Sequence, residues 1–164
     1  MSQITVKIDG REVEVEEGIT ILEACESAGA YVPALCHYPG LKPLAESKPD
    51  RACQLCVVEV EGAAEPQLAC ITPVADRMVV YTNSAALQRP RRRSLTQVLS
   101  RYPGECVVEG ANARSSPSDL CPDGSGDLQK IIDHIGLDEL RAYIPKKLPV
   151  REDSPFFIRE NNLC

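Results

Sequence analysis

An α+β fold is predicted for this 164-residue chain by three observations: an alternating hairpin at its start, a helix announced by a capping box, and short β-branched strands after a cysteine-bearing loop. In the hairpin, Ile4, Val6 and Ile8 alternate with Thr5 and Lys7, the period of a strand with one buried face. Asp9-Gly10 then supplies a two-residue turn, and Val13 and Val15 resume the alternation on a second, antiparallel strand. Thr20-Ile21-Leu22-Glu23 places a hydroxyl and a carboxylate three residues apart, the pair that satisfies free amides at a helix start. Ile21, Leu22, Cys25 and Ala28 fall on one helical face, so Cys25 is expected in the core as a small hydrophobe rather than as a further metal ligand. Gly29 ends that helix, and strands are predicted at 57-60, 67-71 and 78-81. Hairpin, helix and returning strands make a β-grasp sheet folded over one helix, assigned to residues 1-83.

Chemistry enters with Cys36, Cys53, Cys56 and Cys70, which stand as C-x16-C-x2-C-x13-C with the close pair opening the run Val57-Val58-Glu59-Val60. Plant-type 2Fe-2S sites draw three thiolates from one loop, two of them separated by two residues, and a fourth from a distant strand. The grouping has that shape, so these four are the expected ligands of a 2Fe-2S cluster. Zinc also accepts four thiolates, but its structural sites usually present two tight pairs, and only one C-x2-C exists here. A disulfide framework needs an oxidising compartment, whereas Met1-Ser2-Gln3-Ile4-Thr5-Val6 enters a strand with no basic-then-apolar leader. No apolar run reaches the roughly 18 residues that span a bilayer, so a soluble, cytoplasmic chain is expected.

The net charge of −6 is unevenly spread. Acidic side chains dominate on both sides of one basic island, Arg89, Arg91, Arg92, Arg93 and Arg101. Nucleic-acid binding wants a basic face across a domain, which this chain lacks. It also has no Rossmann glycine fingerprint and no phosphate loop, and His37 and His134 are far apart, so no catalytic site of its own is expected.

Residues 84-136 read as a helical extension. Pro90 is placed in the first turn of a helix that continues through Leu95, Val98, Leu99 and Tyr102, with the arginines facing solvent and one apolar face turned to the first domain. Leu128, Ile131, Ile132 and Ile135 mark a second amphipathic helix stopped by Gly136. Over residues 137-164, Pro145, Pro149 and Pro155 break the chain into extended pieces, and Phe156-Phe157 needs cover, which suggests a tail that wraps a partner.

Beyond spacing, the chain resembles the ferredoxin-like amino-terminal region of the large iron-sulfur subunit of NADH dehydrogenase (complex I), with related modules in NAD-linked formate dehydrogenases and iron hydrogenases. The resemblance is carried by Asp9-Gly10, Ile21-Leu22-Glu23-Ala24, Pro33-Ala34-Leu35-Cys36-His37-Tyr38-Pro39-Gly40-Leu41, Cys53-Gln54-Leu55-Cys56-Val57-Val58-Glu59-Val60 and Cys70-Ile71-Thr72-Pro73-Val74. It implies that Cys36, Cys53, Cys56 and Cys70 hold a 2Fe-2S cluster and that His37 is a neighbour, not a ligand. The chain departs from the family in its longer first interval, an insertion around Leu44 to Asp50 that removes no ligand. A second departure follows. Where the family holds a 4Fe-4S cluster with a histidine and three cysteines, this chain has Tyr102, Cys106, Glu109 and Cys121, so a vestigial, empty second site is expected. In the family a stretch like Arg159-Glu160-Asn161-Asn162-Leu163-Cys164 introduces a further ferredoxin module, so the chain reads as a truncation of a longer subunit.

The function expected is one-electron transfer within a larger oxidoreductase, beside flavin, molybdenum or further iron-sulfur subunits. An all-thiolate site points to a low potential, roughly −400 mV, pushed lower by acidic neighbours. The alternative is a structural adaptor that docks partner subunits with zinc or no metal. A β-grasp sulfur carrier is not expected, since it needs a terminal Gly-Gly and this sequence reads Leu163-Cys164 there.

Overall fold

A computed structural model describes residues 2–100, 127–137, 151–154 and 157–159. The Asp9-Gly10 dipeptide sets the first pairing, because both residues have positive φ, 48° and 86°, the backbone of a hairpin turn whose twist matches its strands. It joins β1 (Gln3–Ile8) to β2 (Arg11–Glu16), antiparallel from Ile8↔Arg11 to Gln3↔Glu16. Three strands follow the cysteine loop: β3 (Val57–Val60), β4 (Gln67–Leu68) and β5 (Val79–Tyr81). β5 runs parallel to β1 and antiparallel to β3, giving the mixed order β2-β1-β5-β3-β4. Asp9 also clamps this crossover, since its carboxylate accepts from the Thr82 amide at 2.8 Å and the Thr82 hydroxyl at 2.6 Å.

The inward faces of the strands, with Val6, Ile8, Val15, Val58 and Val80, share one core with Ile21, Leu22, Ala24 and Cys25 of α1 (Ile21–Ser27). Cys25 is fully buried, as its helical position requires, and desolvation pushes its thiol up to about 12. That group is a space-filling apolar side chain, not a nucleophile. Between α1 and β3 the cysteine loop contains a short helix, α2 (Leu44–Ser47), and a 3-10 turn over Pro49–Arg51.

Both ends of α1 are built by local chemistry. At the start, Glu23 N–H donates to the Thr20 hydroxyl at 3.3 Å while Thr20 N–H donates to the Glu23 carboxylate at 2.7 Å. At the end, Gly29 takes a φ of 69° and Ala30 N–H donates to Cys25 O at 2.8 Å, which occupies a carbonyl that the helix leaves free. The backbone and hydroxyl bonds from Thr20 hold the Glu23 carboxyl below its ordinary value. A depressed carboxyl stabilises the fold above its unfolded-state value and loses that contribution as pH falls through the folded one. Glu23→Gln is therefore expected to flatten the acid limb of a plot of thermal midpoint against pH, with little change near neutrality. An acid limb as steep as that of the wild type would mean that the cap is not what titrates.

Three expectations need correction. The strand predicted over 67-71 ends at Leu68, because residues 69–72 turn back on it, with Ile71 N–H and Thr72 N–H both donating to Leu68 O. The helix after the sheet, α3, spans Ala85–Leu99 and so begins before Pro90, which lies inside it. Ala85, Ala86 and Leu87 are strong helix formers, and the carbonyl that proline deprives of a donor belongs to exposed Ala86. The third correction concerns the arginines. Leu87, Arg91, Leu95 and Leu99 recur every four residues on one face of α3, and Arg91 is as buried as the leucines, 1% exposed, while Arg89, Arg92 and Arg93 are not buried.

Two compact units divide inside α3, at Ser94 and Leu95. In the second, α4 (Asp127–Ile135) buries Ile131, Ile132 and Ile135 and stops at Gly136, whose φ is 67° and whose N–H reaches Ile132 O at 2.9 Å. β6 (Arg151–Ser154) pairs antiparallel with β7 (Phe157–Arg159). Tyr102, Cys106, Glu109, Cys121 and Phe156, on which the expectations of a vestigial site and a partner-seeking tail partly rest, lie outside the described residues. Among the described residues, no helix is long and apolar enough to cross a membrane.

Candidate metal centre

The fold brings Cys36, Cys53, Cys56 and Cys70 near one another from three places, as couples rather than as a group of three or more placed to hold a single metal ion among the described residues. Cys36 lies on the irregular segment after α1, Cys53 and Cys56 lead into β3, and Cys70 sits in the turn after β4. That turn is tied to the helix start. Ile21 N–H donates to Thr72 O at 2.9 Å and Leu22 N–H to Ala69 O at 3.0 Å, so the amides that α1 cannot satisfy internally hold the Cys70 loop. Ala69 N–H in turn donates to Cys56 O at 2.9 Å, which locks the last two cysteines to each other through backbone.

The sixteen-residue interval between Cys36 and Cys53 does not separate them. It is wound into α2 and the 3-10 turn, and the two sulfurs approach to 3.4 Å, with Cys53 N–H donating to the Cys36 sulfur at 3.5 Å. Gln54 shapes the C-x2-C link, with a φ of 52° and its side-chain amide donating to Pro49 O at 3.2 Å. Sequence reading does not single out Gln54, and nothing in its residue type marks a left-handed position. Cys56 and Cys70, both 1% exposed, are the second couple, each the first-named influence on the other's thiol, and their backbones are joined by the Ala69 bond.

Within each couple the two thiols shift in opposite directions. The Cys36 S–H pushes the Cys53 thiol down to about 5, helped by N–H groups of Leu55, Leu35 and Cys36, while Cys36 itself is pushed up by that bond and by burial. In the second pair the Cys56 S–H lowers Cys70, and Cys56 rises through the same bond and through desolvation. Cys53 and Cys70 are thus the two members of the set whose thiols are pushed down, the direction that favours a thiolate.

The surroundings are mixed. Leu35, Tyr38, Leu41 and Ile71 are exposed large apolar side chains beside the ligand positions in sequence. His37, next to Cys36, has a buried Nδ1 without a hydrogen-bond partner among the described residues. Arg91 is a neighbour of the site that sequence reading misses. Its guanidinium donates to Val57 O, one residue past Cys56, at 2.7 Å. The signal that could find it is the Leu87, Leu95, Leu99 stripe, which leaves position 91 on the buried face.

A mixed sheet against one helix, carrying four thiols gathered from a loop and a sheet edge, defines a small ferredoxin-like iron-sulfur domain. The chain belongs to the family described as the 2Fe-2S iron-sulfur cluster binding domain, whose model matches residues 1–85. It is 37% identical over 139 residues to the NADP-reducing hydrogenase subunit HndD of Solidesulfovibrio fructosivorans, covering 85% of this chain and 22% of that protein. It is 34% identical to an NADH-quinone oxidoreductase subunit of Rhizobium meliloti (strain 1021), covering 98% of this chain and 17% of that one. Among solved structures, an NAD+-reducing [NiFe]-hydrogenase in the H2-reduced state matches with a TM-score of 0.61 and 26% identity, over 93% of this chain and 57% of that chain. The chain thus spans only about a fifth of the curated relatives it matches.

Proposed function

We propose that Cys36, Cys53, Cys56 and Cys70 hold one 2Fe-2S cluster in a β-grasp domain over residues 1-83, and that the chain carries single electrons inside a larger oxidoreductase. The observation that carries this reading is the approach of the Cys36 and Cys53 sulfurs to 3.4 Å, beside Cys56 and Cys70, which are both buried and bear on each other's thiols, a grouping that matches two irons with two protein thiolates each. When bound, the cluster supplies reversible uptake of one electron. The chain's own part is to keep four thiolates in place, to aim the amides of Leu35, Cys36, Cys53 and Leu55 at sulfur, and to exclude water from Cys56 and Cys70.

The exposed apolar side chains beside the ligands are where an electron donor or acceptor would approach. The similarity to hydrogenase and NADH-quinone oxidoreductase subunits supports a partner within such a complex; subunits carrying flavin, molybdenum or further iron-sulfur centres, in the cytoplasm, are the partners this reading expects. Residues 84-136 are then a helical extension with an empty second site, and 137-164 a tail that contacts partner subunits.

Anaerobically purified protein tests this directly through visible absorption, iron and sulfide content, and low-temperature EPR. About two irons and two sulfides per chain, with one S = 1/2 signal after dithionite, is the expected result. More iron would show that the second site is filled. A colourless chain, or one that holds zinc after reconstitution, would replace the electron carrier with the structural adaptor.

A further inference from the structure

Arg91 is 1% exposed, yet its guanidinium makes one hydrogen bond, from Nη2 to the Val57 carbonyl at 2.7 Å. Its Nε and Nη1 are buried without a hydrogen-bond acceptor among the described residues, and no carboxylate of those residues lies within ion-pair distance of it. The groups that bear on it electrostatically are Cys56, Tyr31 and Asp9, and the Asp9 carboxylate is already engaged by Thr82. A guanidinium taken out of water without a partner charge is strongly unfavourable. A leucine would continue the stripe of Leu87, Leu95 and Leu99 at no such cost.

We infer that Arg91 is the electrostatic counterweight of the iron-sulfur centre, a buried cation placed behind Cys56 that balances the cluster's negative charge and raises its potential. The inference rests on the reading that Cys36, Cys53, Cys56 and Cys70 hold a 2Fe-2S cluster. Four thiolates and two sulfides outweigh the charge of two ferric ions, so the centre is anionic, and each added electron makes it more so. A fixed cation in a low-dielectric surrounding favours the reduced form, opposing the acidic side chains of the domain's surface. The single bond to Val57 keeps the guanidinium beside the strand that follows Cys56, and Cys56 is the first of the groups that bear on its charge. The rival account, a strap that ties α3 to β3, explains the Val57 bond but leaves the charge without a role.

The test uses the full 164-residue chain and compares wild type, Arg91→Met, Arg91→Gln and Arg91→Lys. The readouts are iron content, the midpoint potential in a dye-mediated titration, and the thermal midpoint of the apo chain. Arg91→Met is expected to lower the equilibrium constant for reduction about tenfold, equivalent to about 59 mV for a one-electron couple. Arg91→Lys should retain most of the wild-type potential. The apo chain should be no less stable with Met than with Arg, because an uncompensated charge has been removed. Arg91→Gln keeps a donor for Val57 and drops the charge, so its midpoint should fall like that of Arg91→Met; it also serves if Met prevents folding. Neutral variants that keep full iron and the wild-type potential overturn the inference, above all if the apo chain is destabilised as well. Failure of wild type itself to bind iron would sink the cluster reading and this inference together, and the iron count tells that case apart.

Discussion

Cys56→Ala is expected to yield a chain with almost no bound iron, without visible absorption and without the EPR signal of a reduced cluster. Cys56 stands just before the strand β3, is buried, and is paired with Cys70. On the proposed ligand set its loss removes half of the protein ligands of one iron, and its burial leaves water little access to replace the thiolate. The control is Cys25→Ala. Cys25 is just as buried but lies in α1, and no other cysteine is among the groups that act on its thiol, so this variant should keep about two irons and lose only about 1–2 kcal/mol of stability, the modest end of core truncation. A Cys56→Ala chain with full iron and an unaltered spectrum would remove Cys56 from the ligand set. Loss of iron in Cys25→Ala with the fold intact would admit Cys25 to it.

The second large effect concerns the helix that carries no ligand. Leu22→Ala should cost the apo chain about 2–5 kcal/mol in urea unfolding, because a buried leucine is removed from between helix and sheet. Against the roughly 5–15 kcal/mol available to a small domain, that is a large fraction. Its consequence should reach the metal centre. The Leu22 amide holds Ala69, and Ala69 holds the Cys56 carbonyl, so a loosened α1 releases the Cys70 turn and iron should pass to a chelator faster than in wild type. A loss below about 1 kcal/mol would mean that the site collapses around the smaller residue and that α1 contributes less than its burial implies.

Much of this molecule is legible in local sequence. Asp9-Gly10 announces the hairpin because only certain residues accept two consecutive positive φ angles. Thr20 and Glu23 announce α1 because a capping box needs one hydroxyl and one carboxylate at fixed spacing. Gly136 marks the end of α4 by its left-handed backbone. The cysteines stand out as a set because few chemistries use four thiols, and the family model over residues 1–85 agrees with the cofactor that their spacing suggests. The errors have a common origin. Arg91 reads as solvated because charge runs usually are, the start of α3 is misplaced because Pro90 is usually a start signal, and β4 is drawn too long because Ala69 and Cys70 have no turn chemistry of their own.

Elements whose stability is local follow from the order of residues alone: the turn, the caps, the alternation of the strands and the presence of a four-thiol set. Three features emerge only once the chain has folded: the approach of the Cys36 and Cys53 sulfurs, the departure of residues 69–72 from the sheet to cap α1, and the burial of one arginine among several at Val57. The physical reason is the range of the interactions involved. A cap or a turn is satisfied within a few residues of itself, whereas a sulfur pair or a buried charge takes its energy from groups that the chain brings near only after it has folded.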